Sequence, residues 1–222
     1  MTLSEAQLKP LHLDFMRSFD GDCWIAGGSI TNVCLNYVPG DLDLFFPSHA
    51  SRNKAVFKAI ELGYEIITAG PIFIKLRDTV NTKPYMAPLS GWDKSVLRRE
   101  RNRPLVFDAI ELGSTPEETL TKFDFTINQI AITKPTDENP NGAFHLTPTA
   151  EEDLIAKTLK ITGEHPSRFL PNKAKVVIKN LKKGFTIDTT ELAKWFTDIP
   201  SNIDTSEKQI DWLVNFITTY KK

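Results

Sequence analysis

Cys23-Trp24-Ile25-Ala26-Gly27-Gly28-Ser29-Ile30, followed after a helix-length interval by Asp41-Leu42-Asp43-Leu44-Phe45-Phe46, is the stretch whose reading decides the fold. Its first four residues form a short apolar run with β character, and Ile30, Val33, Cys34 and Tyr37 then recur at helical spacing on one face. Gly27 and Gly28 therefore fall between a strand and a helix N-terminus. Glycine there lets the backbone approach a ligand. The free N–H groups of the first helical turn, with Ser29 as their expected cap, favour an anion such as a triphosphate. Pro39-Gly40 makes a turn, and in the strand that follows side chains alternate. Asp41 and Asp43 then share one face while Leu42, Leu44 and Phe46 point into the core. Two carboxylates held side by side bind Mg2+ with positions left open for phosphate oxygens, the donor set of a two-metal phosphoryl-transfer site.

Joined as strand, Gly-Gly-Ser, helix, turn and Asp-x-Asp strand, these segments resemble the nucleotidyltransferase core of the DNA polymerase β superfamily. A second segment narrows the resemblance. Phe123-Asp124-Phe125-Thr126-Ile127-Asn128-Gln129-Ile130-Ala131 is similar to the Arg-Arg-Asp-Phe-Thr-Ile-Asn-Ala-Leu-Ala motif of bacterial CCA-adding enzymes and poly(A) polymerases. The resemblance implies that Asp124 and Asn128 recognise the sugar of the incoming nucleotide, with Gly27, Gly28 and Ser29 on its triphosphate. Read as a strand, the segment puts Asp124, Thr126 and Asn128 on one face and Phe125 and Ile127 in the core. Two departures stand out. The family's paired arginines are Lys122 and Phe123 here, and the Arg-Asp that follows its glycines is Thr31-Asn32.

A third carboxylate is expected on a neighbouring strand in much of that superfamily. Pro104 to Leu112 reads as a strand with Val106, Asp108 and Ile110 on one face and Phe107, Ala109 and Glu111 on the other. Asp108 is the candidate, with Glu111 as the alternative. An Asp inside an apolar strand is costly to bury unless it is paired or binds metal; otherwise it belongs on an exposed sheet edge.

The net charge is only −1, so nothing global attracts nucleic acid. Basic character is local. From Lys160 to Phe185 seven basic residues (Lys160, Arg168, Lys173, Lys175, Lys179, Lys182 and Lys183) face a single Glu164. The patch reads either as a contact for an RNA backbone, through Lys173, Lys179, Lys182 and Lys183, or as a solvated helix face. Arg98 to Arg103, after a Pro- and Gly-punctuated stretch, reads as a surface loop. Cys23 and Cys34 lie inside apolar patterns without metal-ligand spacing and read as reduced core residues, and the four histidines have no partner at zinc or triad spacing. No apolar run has the length to span a bilayer and the N-terminus lacks a signal-peptide core, so a cytoplasmic protein with no membrane partner is expected.

At 222 residues with 41% hydrophobic content, the chain has room for one ordinary domain and a smaller appendage. The expected class is α+β: a polymerase-β-like nucleotidyltransferase core over residues 1–142, a mixed sheet with flanking helices, then a small all-helical domain over 143–222. Within the core a first helix is expected over Leu3–Phe19, another over Arg52–Leu62, a hairpin around Ala69-Gly70-Pro71, and a capped helix from Thr115-Pro116-Glu117-Glu118. Further helices are expected to start at Thr149, Asp188 and Asp204, each followed by Glu at the capping-box position.

In the helical part Arg168-Phe169 and Lys183-Gly184-Phe185 resemble the family's neck, where a Glu-Asp-x-x-Arg reads the incoming base. The stretch at that place is Pro171-Asn172-Lys173-Ala174-Lys175. Asn172 and Lys175 remain able to hydrogen-bond a base, but the carboxylate and guanidinium that impose C-then-A are gone. The resemblance thus implies a template-independent, Mg2+-dependent (or Mn2+-dependent) transferase moving NMP from an NTP to a hydroxyl, an RNA 3′ end by likeness, with release of pyrophosphate. Asp41, Asp43 and Asp108 would bind the metal. Nucleotidylation of a protein or small molecule, and a catalytically silent RNA- or nucleotide-binding module, are the alternatives.

Overall fold

The computed structural model describes residues 13–35, 37, 40–80, 104–162 and 170–220. Contacts divide the chain into two compact units, Met1–Phe123 with Asn128–Thr147, and Asp124–Ile127 with Pro148–Lys222.

The first unit is built on a seven-stranded sheet. Its strands are β1 (Trp24–Ala26), β2 (Leu42–Phe45), β3 (Tyr64–Ala69), β4 (Phe73–Asp78), β5 (Val106–Ile110), β6 (Ile130–Thr133) and β7 (Phe144–Leu146), in the order β3-β4-β5-β2-β1-β6-β7. The β2/β5 pair alone is parallel, and every other neighbouring pair in this sheet is antiparallel. Among the described residues the helices that accompany it are α1 (Asp14–Met16), α2 (Gly28–Cys34), α3 (His49–Glu61) and α4 (Pro116–Leu120). The part of the expected first helix before residue 13 lies outside the described residues, as do the loop of Arg98 to Arg103 and the neck residues Arg168 and Phe169.

Local chemistry fixes these elements. Helix α3 begins three residues before the expected Arg52 because Ser48 caps it, its side chain accepting from the Ser51 N–H. Thr115 caps α4 by accepting from the Glu118 N–H, with Pro116 in the first turn as expected. Glu118 does not close the box on Thr115; it accepts from the N–H and hydroxyl of Ser114 instead. The β3–β4 hairpin turns at Gly70, whose N–H bonds Phe73 O at 2.8 Å.

Both sheet faces are apolar, which explains why Phe45 is buried as well as Leu44 and Phe46. On one side Phe107 meets Phe15 edge-on at 5.1 Å and Tyr64 at 5.4 Å, with Phe19 at 5.7 Å. Full burial of each such Phe contributes roughly 1.5–3 kcal/mol. On the other side Trp24, Ala26, Phe45, Leu120 and Ala131 form a cluster flanked by Phe123. The polar positions of β2 and β5 stand on this second face, beyond the end of that cluster.

The second unit contains α5 (Pro148–Ala156), α6 (Leu170–Leu181), α7 (Thr189–Leu192) and α8 (Ser206–Tyr220), and a parallel pair of short strands, β8 (Thr158–Leu159) and β9 (Thr186–Ile187). Two short departures from helix fall within residues 143–222. Residues 144–146 complete the large sheet, and Thr158 and Thr186 are paired strand residues. Helix α7 starts after Asp188, whose carboxylate caps Thr190 N, whereas Glu191 accepts from Ile161 N and from Lys194 rather than closing a box. Helix α5 opens at Pro148, one residue before the expected Thr149. In α8 the cap moves from Asp204 to Thr205, whose hydroxyl accepts from Lys208 N.

Candidate functional site

The parallel register between β2 and β5 sets Asp43 opposite Asp108, and the antiparallel register between β5 and β4 sets Asp108 opposite Lys75. Three adjacent strands thus present Asp43, Asp108 and Lys75 as one row, since directly paired residues project their side chains to the same face. Asp41, two residues before Asp43, joins the row from the N-terminal edge of β2. Lys75 Nζ lies 3.0 Å from Asp41 Oδ2 and 3.0 Å from Asp108 Oδ2. Glu111, the alternative third carboxylate, points elsewhere and pairs with His49.

Burial grades the row. The Asp41 side chain is 50% exposed, that of Lys75 26% and that of Asp108 15%. Burial raises the pKa of Asp108; Lys75 pulls it back and Asp41 adds to the rise. Burial works against the Lys75 ammonium too, but hydrogen bonds to Asp41 and Asp108 outweigh it and the Lys75 pKa is raised. Asp108 Oδ1 is buried with no hydrogen-bond partner, an orphaned hard oxygen of the kind a divalent cation takes. The donor chemistry therefore fits one hard divalent ion near Asp43 and Asp108. Among the described residues, no cluster of three or more His, Cys, Asp or Glu is arranged to hold a metal, and Lys75 stands between Asp41 and Asp108.

The glycine turn is built differently from expectation. Gly27, not Ser29, caps α2, with φ 80° and ψ −140°, a backbone state natural to glycine. A Cβ at Gly27 would lie 2.5 Å from the Phe123 ring, so the phenylalanine that stands for a family arginine packs directly on the turn. At Gly28 a Cβ would meet nothing within 4 Å. Ser29 is buried inside the helix and its Oγ has no hydrogen-bond partner. Thr31 Oγ1 lies 3.3 Å from Gly27 O and 3.2 Å from Asn128 Oδ1, tying the turn to one of the expected sugar readers.

The expected strand from Phe123 to Ala131 is a correction. Phe125 makes an isolated bridge to Ile161, Thr126–Asn128 is a 3-10 turn, and only Ile130–Thr133 is strand. Thr126 is drawn into a different network, its hydroxyl donating to the buried Asp153 at 2.6 Å and its N–H to Lys160 O. Asp124, Thr126 and Asn128 therefore do not line one strand face. Asp124 belongs to the second unit, where its carboxylate pairs with Lys173 on α6. The Lys173 ammonium also lies 5.3 Å from the centre of the Trp195 ring, a cation–π contact. Burial pulls that ammonium down to about 8.

The basic run is consequently divided. Lys160 is paired with Asp153 and Lys173 with Asp124. Lys183 is half-buried and pushed down to about 8 by burial, with Lys179 adding to the shift. Lys175, Lys179, Lys182 and Asn172 are exposed. The sequence reading missed Lys75 altogether; the available signal was a lone Lys between Ile74 and Leu76 in a strand beside Asp108. Cys23 and Cys34 are free and buried, each thiol pushed up to about 12 by desolvation.

Among known structures the chain is similar to the Thermotoga maritima CCA-adding enzyme complexed with tRNA, at 15% identity and a TM-score of 0.50 over 90% of this chain and 40% of that one. It is also similar to a CCA-adding enzyme in an apo form, at 13% identity and a TM-score of 0.50 over 98% of this chain and 43% of that one. At these identities the likeness is one of fold, that of polymerase-β-like nucleotidyltransferases, and the chain spans less than half the length of either structure. No helix among the described residues is long and apolar enough to cross a membrane. No curated protein matches the sequence. The sequence profile described as Gabija anti-defense 2 family protein matches residues 6–157, the greater part of the sequence, and the chain belongs to that family.

Proposed function

We propose that the protein is a Mg2+-dependent nucleotidyltransferase that moves NMP from an NTP to a hydroxyl acceptor, an RNA 3′ end in the first reading, and that it does so in counteracting the defence named in its family description. The observation that carries this reading is the register of Asp43 with Asp108 on parallel neighbouring strands, beside a strand–Gly-Gly–helix turn. Asp43 and Asp108, with Asp41 at the edge, would hold the metal ion, which supplies charge neutralisation at the phosphates and lowers the pKa of the acceptor hydroxyl. Gly28, with open space where a side chain would be, lets phosphate oxygens approach the backbone N–H groups of α2. Asn128, held by Thr31, offers an amide to a ribose hydroxyl. In the reaction the acceptor oxygen bonds the α-phosphorus as the bond to pyrophosphate breaks, and the carboxylate row orients the reacting groups.

Transfer onto a protein is the second reading, favoured by one observation. Asn172 and Lys175, at the place of the base-reading carboxylate and guanidinium, are exposed side chains on α6. A site that rejects wrong bases needs fixed, buried donors and acceptors, so ordered CCA addition is not expected. Incubating the protein with each α-labelled NTP, Mg2+, total RNA and total protein tests both readings. Label in RNA supports the first, label in protein the second. Label in neither leaves a silent nucleotide-binding module. Clean CCA ends on a truncated tRNA would overturn the account of Asn172 and Lys175.

A further inference from the structure

We propose that Lys75 is a built-in cation of the carboxylate row, holding with its ammonium a position that a divalent ion must otherwise fill or contest. The inference rests on the reading of Asp41, Asp43 and Asp108 as metal ligands and goes beyond it by naming what competes with the metal.

Three facts converge. The strand registers align Lys75, Asp108 and Asp43 across β4, β5 and β2, so the lysine belongs to the row by backbone geometry rather than by a chance rotamer. Its Nζ is 3.0 Å from a carboxylate oxygen on each side, one on Asp41 and one on Asp108. Its side chain is only 26% exposed, so water screens the two contacts incompletely. Like charges paired directly across strands destabilise a sheet, and Asp43 opposite Asp108 is such a pair. A lysine beside them offsets part of that repulsion in the absence of metal, which is what the fold needs to form without an ion.

The arrangement has a directional consequence. A divalent ion placed between Asp41 and Asp108 meets the ammonium head-on and has to displace it. An ion at Asp108 Oδ1, the oxygen that Lys75 does not contact and that has no hydrogen-bond partner, does not. Lys75 thus contests the position between Asp41 and Asp108, and metal uptake there is graded by how readily the lysine leaves.

Mn2+ titration of the full chain, followed by the loss of the free-ion paramagnetic resonance signal, tests this without any activity measurement. Lys75→Gln is expected to bind one more Mn2+ per chain than the unaltered protein, or the same number about tenfold more tightly or better, a difference near 1.4 kcal/mol. Lys75→Arg, which keeps the charge, is expected to bind as the unaltered protein does. Adding Asp108→Asn to Lys75→Gln is expected to remove the gain. Equal number and affinity in Lys75→Gln and the unaltered protein would overturn the proposal, as would a gain that survives Asp108→Asn. Should Lys75→Gln not fold, Lys75→Met, which keeps the apolar stem, carries the same comparison. Absence of nucleotide transfer in every variant would sink the transferase reading while leaving the Mn2+ result to decide the role of Lys75.

Discussion

Two Asp–Lys contacts, one in each unit, look alike on paper and differ in what they leave over. In the second unit Asp124 pairs with Lys173, and the ammonium also lies over the Trp195 ring. In the first unit one ammonium is shared by Asp41 and Asp108, a further carboxylate stands opposite Asp108, and Asp108 Oδ1 has no hydrogen-bond partner. In the first unit one lysine is shared between carboxylates, whereas the contact in the second unit sets a lysine against a carboxylate and an aromatic ring. A contact of the second kind is worth little to chemistry and serves packing. Carboxylates that share a lysine and leave Asp108 Oδ1 without a hydrogen-bond partner are able to take up a metal ion and, through it, phosphate. The contrast also revises the resemblance: Asp124, implied to read the sugar, has its carboxylate committed to a lysine that replaces part of the family's base-reading segment.

Removing a carboxylate from the row is the sharpest way to break this contrast. Asp43→Asn and Asp108→Asn are each expected to lower nucleotide transfer by about two to three orders of magnitude, while Asp124→Asn lowers it far less. Transfer of label per unit time at saturating Mg2+, with circular dichroism to confirm folding, decides it. Equal losses in Asp43→Asn and Asp124→Asn would erase the distinction between the two contacts. Glu111→Ala, which removes the contact with His49, is expected to leave the rate within a small factor.

The glycine turn gives the next largest effect, on stability rather than rate. Gly27→Ala forces a side chain into a left-handed backbone state and drives its Cβ to 2.5 Å from the Phe123 ring. A loss of about 2 kcal/mol or more is expected, read as a lowered thermal midpoint. Gly28→Ala is expected to fold normally. Gly27→Ala combined with Phe123→Ala should recover the steric part and leave the backbone part, so full recovery would show that φ at Gly27 costs nothing.

How far these features were legible in the sequence follows from how local their causes are. The Gly-Gly turn, the Asp-x-Asp alternation and the Asp108 strand are set by a few neighbouring residues, and the alternation that buries Leu42, Leu44 and Phe107 is visible as such. What was not legible depends on partners distant along the chain. The segment from Asp124 to Asn128 has β-like alternation, yet Thr126 satisfies Asp153 and Lys160 and the backbone turns to reach them. Ser29 has a cap-forming side chain, but Gly27 already occupies the position that starts the helix. Lys75 reads as an ordinary surface lysine until register places it between two carboxylates that lie 34 residues before it and 33 after it in the chain.

The contact between Asp124 and Lys173 itself makes a third test. Lys173→Met leaves Asp124 partly buried without its cation, and Asp124→Asn leaves Lys173 so; each is expected to cost about 1–3 kcal/mol by chemical denaturation. Because the two side chains are paired, the double substitution Asp124→Asn with Lys173→Met is expected to cost clearly less than the two single losses added together. Additive losses would mean that the two side chains do not act as a pair.

The smallest expected effect is a pH dependence that belongs to the second unit. Burial, with Lys179 adding to it, holds the Lys183 ammonium at about 8 against an ordinary 10.5. The unfolded chain then binds more protons than the folded one between those two values, so stability rises with pH across that window. Below about 8 the folded protein bears the whole cost of charging a half-buried lysine, and above 10.5 the cost is gone. Lys183→Met is expected to flatten this rise and to stabilise the protein at neutral pH, whereas Lys182→Met, at an exposed neighbour, changes neither. Denaturant midpoints measured from pH 7 to 10 for the three proteins give the answer. A slope that persists unchanged in Lys183→Met would assign it to Lys173, the other ammonium that burial holds near 8, and would mean that its pairing with Asp124 is too weak to keep that lysine charged.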